Sequence, residues 1–281
     1  MTRKRKKKLK TLVDIIIPVY GRFDLLDLCL QSIPEAVGTI PYTVTIVDNN
    51  SPDRQEYYLP PNEFKSIYPN TEVIKNNQNK GFIGASNQGA SKGRSPLIFF
   101  LNSDVILAPN SVVELVKSLD EPSVGIAGMK LLFPDATQIQ ESGLDNRIRP
   151  PQKVQHVGLN TNVRGEVSHT FIGWSADAQK VNDVSEVMAV TGAALLIRRK
   201  LFQMVSGFDK DFGMGTYEDV SLCLAVRELG YNVVVNPQAV ATHFVGATSE
   251  KYQKHFPLNQ NYQIFISKWR DKLKQWDYNV L

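Results

Sequence analysis

Five consecutive apolar residues, Leu97-Ile98-Phe99-Phe100-Leu101, run straight into the polar triplet Asn102-Ser103-Asp104. A run this short and this uniformly apolar reads as a strand buried on both faces, the situation of an interior strand in a parallel sheet. Its abrupt end puts a carboxylate at the strand's carboxyl edge, where ligands of open α/β sheets bind. There, Asp104 either caps a turn or ligates a hard divalent cation that in turn holds a diphosphate.

The neighbouring sequence repeats the pattern. Apolar runs at 13–18, 43–47, 72–75 and 124–127 alternate with stretches of helical periodicity. The first such stretch carries Leu25, Leu26, Leu28, Leu30 and Ile33, and others lie around 55–67, 83–92 and 110–119. Alternation of this kind predicts βα units around a largely parallel sheet. Residues 133–183 are polar, glycine-punctuated and weakly periodic, which predicts long loops with short strands. Regular structure is expected again at 187–197, 199–205, 218–229 and 232–235. The chain closes with an amphipathic helix bearing Ile264, Phe265, Trp269, Leu273 and Trp276.

A length of 281 residues with 42% hydrophobic content suffices for a large core. The formal charge of +4 is uneven, because residues 1–10 hold seven Lys or Arg and no acid. Setting those seven aside leaves 25 basic against 28 acidic side chains. The basic block reads as a solvated arm, with peripheral contact between residues 3–10 and an anionic membrane or nucleic acid as the alternative. The apolar stretch behind it contains Asp14 and Pro18 and has no small-residue cleavage site, unlike a secretory signal. No segment reaches the ~18 apolar residues of a membrane span. Cys29 and Cys223 supply neither a metal spacing nor a disulfide framework. The expectation is a cytoplasmic protein, free or peripheral at the inner face of the membrane.

Several segments carry candidate chemistry. Pro18-Val19-Tyr20-Gly21-Arg22 leaves the first strand either as an ordinary βα turn or with Tyr20 seating a base and Arg22 meeting a phosphate. Asp48 ends the second strand, as an Asx turn or as a partner for a base or ribose. In 79–87, Asn79, Lys80, Gly81 and Asn87 surround a helix entrance suited to a phosphate-bearing ligand, although the spacing is neither a dinucleotide fingerprint nor a Walker loop. Asn102 and Ser103 offer neutral oxygens to metal-bound water. Thr191-Gly192-Ala193 admits close approach of a sugar, or simply tight strand packing. Glu218-Asp219 opens a helix, as a capping pair or with a general base among them. His243 is either structural or a second metal ligand.

Taken in order, 18–20, 47–51, 79–87, 102–104, 191–193, 207–209, 218–224 and His243 resemble glycosyltransferase family 2, the inverting enzymes of the GT-A fold. The resemblance covers about 13–249. Gln155-His156 within 154–158, together with 207–209, makes it closest to the rhamnosyltransferase-like, surface-polysaccharide branch. It implies an α/β GT-A fold, Rossmann-like, with a central mixed, mostly parallel sheet flanked by helices. A basic tail (1–11) would precede one catalytic domain (12–250), split into a nucleotide-binding half (12–130) and an acceptor-binding half (131–250). A helical extension (251–281) would follow. Family logic places the nucleotide against Pro18, Val19, Tyr20, Asp48 and the Gly81 loop. It puts Mg²⁺ or Mn²⁺ on Asp104 and His243, with Asn102 replacing the family's first acid, and makes Asp219 the base. Arg22, Asn79, Lys80, Asn87, Ser103, Gly192, Ala193 and Glu218 complete the expected substrate contacts. The donor would be a UDP- or dTDP-sugar and the acceptor a glycan or lipid-linked hydroxyl. Two positions depart from the pattern: Ser221 stands where the family usually has an acid, and Ala225 where it usually has an arginine. The alternatives are a glycosyltransferase acting on nucleic acid, or a GT-A-fold binding protein without catalysis.

Overall fold

The pivot of the molecule is β1 (Val13–Val19), whose Ile15-Ile16-Ile17 run is fully buried. β-Branched residues suit a pleated surface covered on both sides. In the computed structural model, which describes residues 11–54, 61–142, 151–162, 164–252 and 256–275, β1 pairs in parallel with β2 (Tyr42–Asp48) and β4 (Leu97–Leu101). β3 (Thr71–Lys75) extends the parallel set beyond β2. The basic segment 3–10, part of the helix expected at 55–67, and Trp276 lie outside the described residues.

Beyond β4 the sheet turns mixed. β11 (Ala194–Arg198) is antiparallel to both β4 and β6 (Val124–Leu132), and β12 (Asn232–His243) is parallel to β6. The order is β10-β12-β6-β11-β4-β1-β2-β3, with β5 (Val105–Leu107) on β12 and β7 (Val154–His156) on β6. β10 is Ser185–Glu186, and a separate hairpin joins β8 (Leu159–Thr161) to β9 (Val167–His169). The expected architecture, a central mostly parallel sheet flanked by helices, is what the chain adopts. Because β1, β2 and β4 are parallel and in register, their carboxyl ends stand at one edge.

Side chains alternate between the two faces of the sheet. Ile15, Ile17, Phe99 and Leu101 pack on one face under α1 (Phe23–Val37). Ile16, Ile98 and Phe100 belong to the core on the other face, which also takes in residues of α7 (Glu218–Glu228) and α9 (Leu258–Gln275). The remaining helices are α2 (Pro61–Ile67), α3 (Gly81–Lys92), α4 (Ser111–Lys117), α5 (Ala136–Glu141), α6 (Arg199–Met204) and α8 (Ala247–Tyr252). α3 sits so close to β1 that a Cβ at Gly89 would lie 2.5 Å from Ile16 Cγ2. At the opposite edge of the sheet, Asp14 accepts from Thr43 Oγ1, Ser95 N, Ser95 Oγ and Arg199 Nη2 at 2.6–2.8 Å, which ties β1, β2 and α6 together.

Three elements differ from expectation. β6 runs past 127 because Lys130 is accommodated inside, with its ammonium donating to Asn182 Oδ1 at 2.6 Å. β12 runs past 235 because the register shifts between Asn236 and Val240, leaving Pro237 in the irregularity where no ladder N–H is needed. The strand expected at 187–197 is confined to β11: before it the chain crosses the sheet, with Val190 packed where a Cβ on Gly128 would sit. Phe265, Ile266 and Trp269 of α9 belong to the main core rather than to an appendage. No helix among the described residues is long and apolar enough to cross a membrane.

Candidate active site

A cleft of about 260 Å³ opens at the carboxyl edge. The end of β1 supplies Pro18, Val19 and Tyr20, and the entry to α3 supplies Asn79, Gly81 and Phe82. Asn102, Ser103 and Asp104 follow β4, and His243 ends β12. Met214, Val245, Gly246, Thr248, Ser249 and Phe256 close the remaining sides. Nine residues singled out from the sequence therefore meet in one place.

Asp104 and His243 form its floor. Pairing of β5 with β12 sets His243 opposite Val105, and Phe244 N donates to the Asp104 carbonyl at 2.9 Å. The two side chains are buried, with His243 Nε2 3.4 Å from Asp104 Oδ1 and His243 Nδ1 3.1 Å from Gln155 Oε1. Ligand atoms each about 2.1 Å from one divalent ion stand roughly 3.0–3.4 Å apart at the usual angles, so the pair fits as two neighbouring ligands. Among the described residues no group of three or more His, Cys, Asp or Glu is placed to hold a metal. Other coordination positions would fall to water and ligand oxygens, as Mg²⁺ and Mn²⁺ accept.

Asn49, which the sequence reading passed over, organises the side of the cleft formed by Asn79 and Gly81. Its amide donates to Asn79 Oδ1 (2.7 Å) and the Gly81 carbonyl (3.0 Å), and its carbonyl oxygen accepts from Lys80 N (2.9 Å). Asp48 does not line the cleft. It is fully buried, with Oδ1 accepting from Ser51 N at 2.9 Å and Oδ2 3.7 Å from Arg54 Nε. Ser51 Oγ in turn accepts from Gly21 N. The carboxylate thus shapes the turn that presents Asn49.

Arg22, Lys80 and Asn87 also stand away from the cleft. Arg22 is buried and bonded to Asp24 through Nε and Nη2, fixing the start of α1. Lys80 extends along α3 to Gln88 Oε1 at 3.2 Å. Asn87 clamps the Phe208 backbone, donating to its carbonyl (2.8 Å) and accepting from its N–H (2.9 Å). Competing partners, whose strength a linear pattern does not rank, claimed all three side chains.

The glycine before α3 earns its place through contact. Gly81 has φ +71°, and a Cβ there would lie 2.7 Å from Met214 Cα, while Phe82 N donates to the Met214 carbonyl at 3.0 Å. This brings the 213–217 loop, and the helix it leads into, against the cleft.

At that helix, Asp219 Oδ2 accepts from Gly192 N (2.9 Å) and Oδ1 from Val220 N (2.8 Å). Burial raises its pKa, opposed by these amides and by the Thr191 hydroxyl. Glu218 is raised by burial first and then by the Asp219 charge. The 191–193 segment joins the two halves of the site, since the Ala193 carbonyl accepts from Asn102 N at 2.8 Å. A Cβ at Gly192 would lie 3.3 Å from Phe82 Cζ and 3.4 Å from Asp219 Cβ, so Gly192 sits between Asp219 and the Phe82 ring; Phe82 lines the cleft, whereas Gly192, Ala193, Glu218 and Asp219 do not. Thr191 N donates to His156 Nε2 at 3.4 Å, and His156 Nδ1 lies 2.9 Å from His169 Nδ1. Burial and neighbouring imidazoles hold His156 well below its ordinary pKa, and burial takes His169 down to about 4, so both are neutral at pH 7. Phe82, Met214, Asn49 and Gln155 were the residues missed. Asn49, Gln155 and Phe82 had a local signal, beside singled-out Asp48, inside the 154–158 segment and directly after Gly81 in 79–87; Met214 had none.

Comparison with known proteins identifies the family and the fold. The sequence model described as glycosyl transferase family 2 matches residues 14–202. Protein y4gI of Sinorhizobium fredii (strain NBRC 101917 / NGR234), itself uncharacterised, is 25% identical over 244 residues, 84% of this chain and 25% of that protein. The O-antigen biosynthesis protein RfbC of Myxococcus xanthus is 27% identical over 244 residues, 84% of this chain and 17% of RfbC. The chain thus spans a quarter or less of the length of these two relatives. The crystal structure of GalNAc-T7 with UDP, GalNAc and Mn²⁺ aligns with a TM-score of 0.69 at 14% identity, covering 95% of this chain and 50% of that one. The shared fold is GT-A.

Proposed function

Because this chain belongs to glycosyl transferase family 2, we propose that it moves a sugar from a nucleotide-diphosphate donor to an acceptor hydroxyl, inverting the anomeric carbon. The observation that carries the reading is the meeting of Asp104 and His243 at 3.4 Å in one cleft with Pro18, Val19, Tyr20, Asn79 and Gly81. Residues 12–130 then form the nucleotide-binding half, with Asn102 and Ser103 beside the diphosphate, and 131–250 the acceptor-binding half. Asp48, Arg22, Lys80 and Asn87 hold the walls.

Asp104 and His243 would hold Mg²⁺ or Mn²⁺, which when bound supplies positive charge to the departing diphosphate. Asp219 takes the acceptor proton. As the hydroxyl oxygen bonds to the anomeric carbon, the bond from that carbon to the phosphate oxygen breaks and its electron pair leaves with the nucleoside diphosphate. Gly192 and Val220 amides keep the carboxylate aimed, and Glu218 and Ala193 complete its surroundings. The name of RfbC supports cell-surface polysaccharide assembly as the setting. On this reading the donor is a UDP- or dTDP-sugar, the acceptor a glycan or lipid-linked hydroxyl, and the place of action the cytoplasmic face of the membrane.

The test is thermal shift of the full chain with UDP-, dTDP- and GDP-sugars, each with Mg²⁺, Mn²⁺ or EDTA, since a ligand that binds the native state raises its melting temperature. At least one donor is expected to stabilise only with metal, and proton NMR of the product then reads the anomer. No metal-dependent stabilisation by any donor refutes the assignment, and retained configuration refutes inversion.

A further inference from the structure

The pairing of β7 with β6 contains an irregularity that points at the metal pair. Leu131 stands opposite His156 and Leu132 opposite Val154, so Gln155 is the extra residue of a bulge and has no partner in the ladder. Bulges re-aim a side chain, and they recur beside active sites. Here the side chain is 4% exposed and reaches His243, the last residue of β12, with Oε1 3.1 Å from Nδ1.

We propose that Gln155 is a positioning residue that fixes His243 as the Nδ1–H tautomer, so that Nε2 is delivered as a bare lone pair to the cation shared with Asp104. The proposal rests on the metal reading of Asp104 and His243 given above.

The two ends of a carboxamide make opposite demands on an imidazole. Oxygen accepts, so an oxygen at Nδ1 requires the ring proton there and, in the neutral imidazole that a metal takes as ligand, leaves Nε2 without one. The Nε2 lone pair then faces Asp104 Oδ1, a second acceptor, at 3.4 Å. Two acceptors face to face in a buried site repel unless a proton or a cation lies between them, and a cation held by both is the arrangement of two ligands. Were the amide nitrogen at Nδ1, the proton would sit on Nε2 and be spent on Asp104, with no lone pair left for a metal. A histidine ligand whose far nitrogen donates to a fixed acceptor has its tautomer and ring orientation set in advance. A neutral carboxamide does this without adding charge beside Asp104.

The test uses the full chain and Mn²⁺ as probe. Long-range ¹H–¹⁵N correlation of the metal-free protein, with the His243 signals assigned by their loss in His243→Ala, reports the tautomer. Electron paramagnetic resonance of free Mn²⁺ reports affinity. Wild type is expected to show Nδ1–H at His243. Gln155→Met, which matches the length but has no acceptor oxygen, is expected to lose that signature and bind Mn²⁺ roughly 10–100-fold more weakly. Gln155→Glu, which restores an acceptor, is expected to keep the signature and to bind Mn²⁺ far more tightly than Gln155→Met. A general packing role would not produce that rescue. If His243→Ala loses Mn²⁺ while Gln155→Met keeps wild-type affinity and tautomer, the assignment of Gln155 is overturned and the metal site stands. If wild type binds Mn²⁺ no better than His243→Ala, the metal reading is overturned and this proposal with it.

Discussion

Glu218→Gln should stabilise the protein, and by an amount that depends on pH. The Glu218 side chain is buried, its Oε2 has no hydrogen-bond partner among the described residues, and the Asp219 carboxylate follows it directly in the chain. Burial and then the Asp219 charge push its pKa up, opposed by the backbone amides of Glu218 and Thr216. A carboxyl whose folded pKa is raised holds its proton in the native state after the unfolded chain has released it. Wild-type stability is therefore complete below the ordinary glutamate pKa and is lost as pH rises from there toward the folded value. Glutamine keeps the accepting oxygen and puts an amide nitrogen where the protonated acid has its hydroxyl, but it never ionises. At pH 4 the two proteins should be nearly equal. The gap then opens by about 1.4 kcal/mol per pH unit, reaching at most about 2.3 kcal/mol at pH 6 for an unfolded pKa near 4.3. For a chain of 281 residues the unfolding entropy at the midpoint is roughly 0.6 kcal/mol/K, so the melting temperature should rise by up to about 4 °C at pH 6. Urea unfolding and thermal melts of both proteins at half-unit steps from pH 4 to 6.5 measure the gap. A constant difference across that range, or a variant that weakens relative to wild type as pH rises, refutes the reasoning.

Asp219→Asn should lower turnover by roughly 10²–10⁴-fold while leaving donor binding in place, read by steady-state kinetics beside thermal shift; near-normal turnover removes Asp219 from the base role. Asp14→Ala leaves the Arg199 guanidinium buried without its carboxylate and should cost about 3–5 kcal/mol by urea denaturation, with a loss under about 1 kcal/mol showing that the network does not hold the sheet's far edge.

The parallel half of the fold was legible because its information is local. An apolar run such as Leu97 to Leu101 declares a strand, and the polar residue that ends it declares the edge. Asp104 and Tyr20 could be placed at the carboxyl edge on that basis, and the family resemblance set the cleft above a turn or cap for them and for Gly81. What could not be read was competition for side chains. Arg22 has Asp24 two residues away, and Asn87 has Phe208 across the molecule, and nothing in the linear pattern ranks those partners against a phosphate. The strand expected at 232–235 continues to His243 because a register shift accommodates Pro237, and such shifts depend on the neighbouring strand. Residues 133–183 predict only long loops with short strands, yet Gln155 and His156 inside that stretch brace His243 and the Thr191 backbone.

Ser221, a departure from the family pattern, has its reason in the C-terminal helix. Its hydroxyl is buried and accepts from Trp269 Nε1 at 2.9 Å, so the position that the family usually gives to an acid here docks α9 onto α7. An acid at that depth would need another charge to pair with, whereas a hydroxyl matches one indole N–H. About two turns before Trp269, α9 also contributes Asn261, whose amide nitrogen lies 2.7–3.2 Å from the carbonyls of Phe212, Gly215 and Thr216. Gly213, Gly215, Thr216 and Tyr217 all have positive φ, a conformation that costs non-glycine residues energy and persists only where the surroundings hold it. Asn261 on one side and the Phe82 amide on the other supply that hold. The loop so fixed carries Met214 into the cleft and ends at Glu218-Asp219. A helix expected as an extension thus packs behind the loop that brings Met214 to the cleft, and the sequence departure at Ser221 is the socket that seats it.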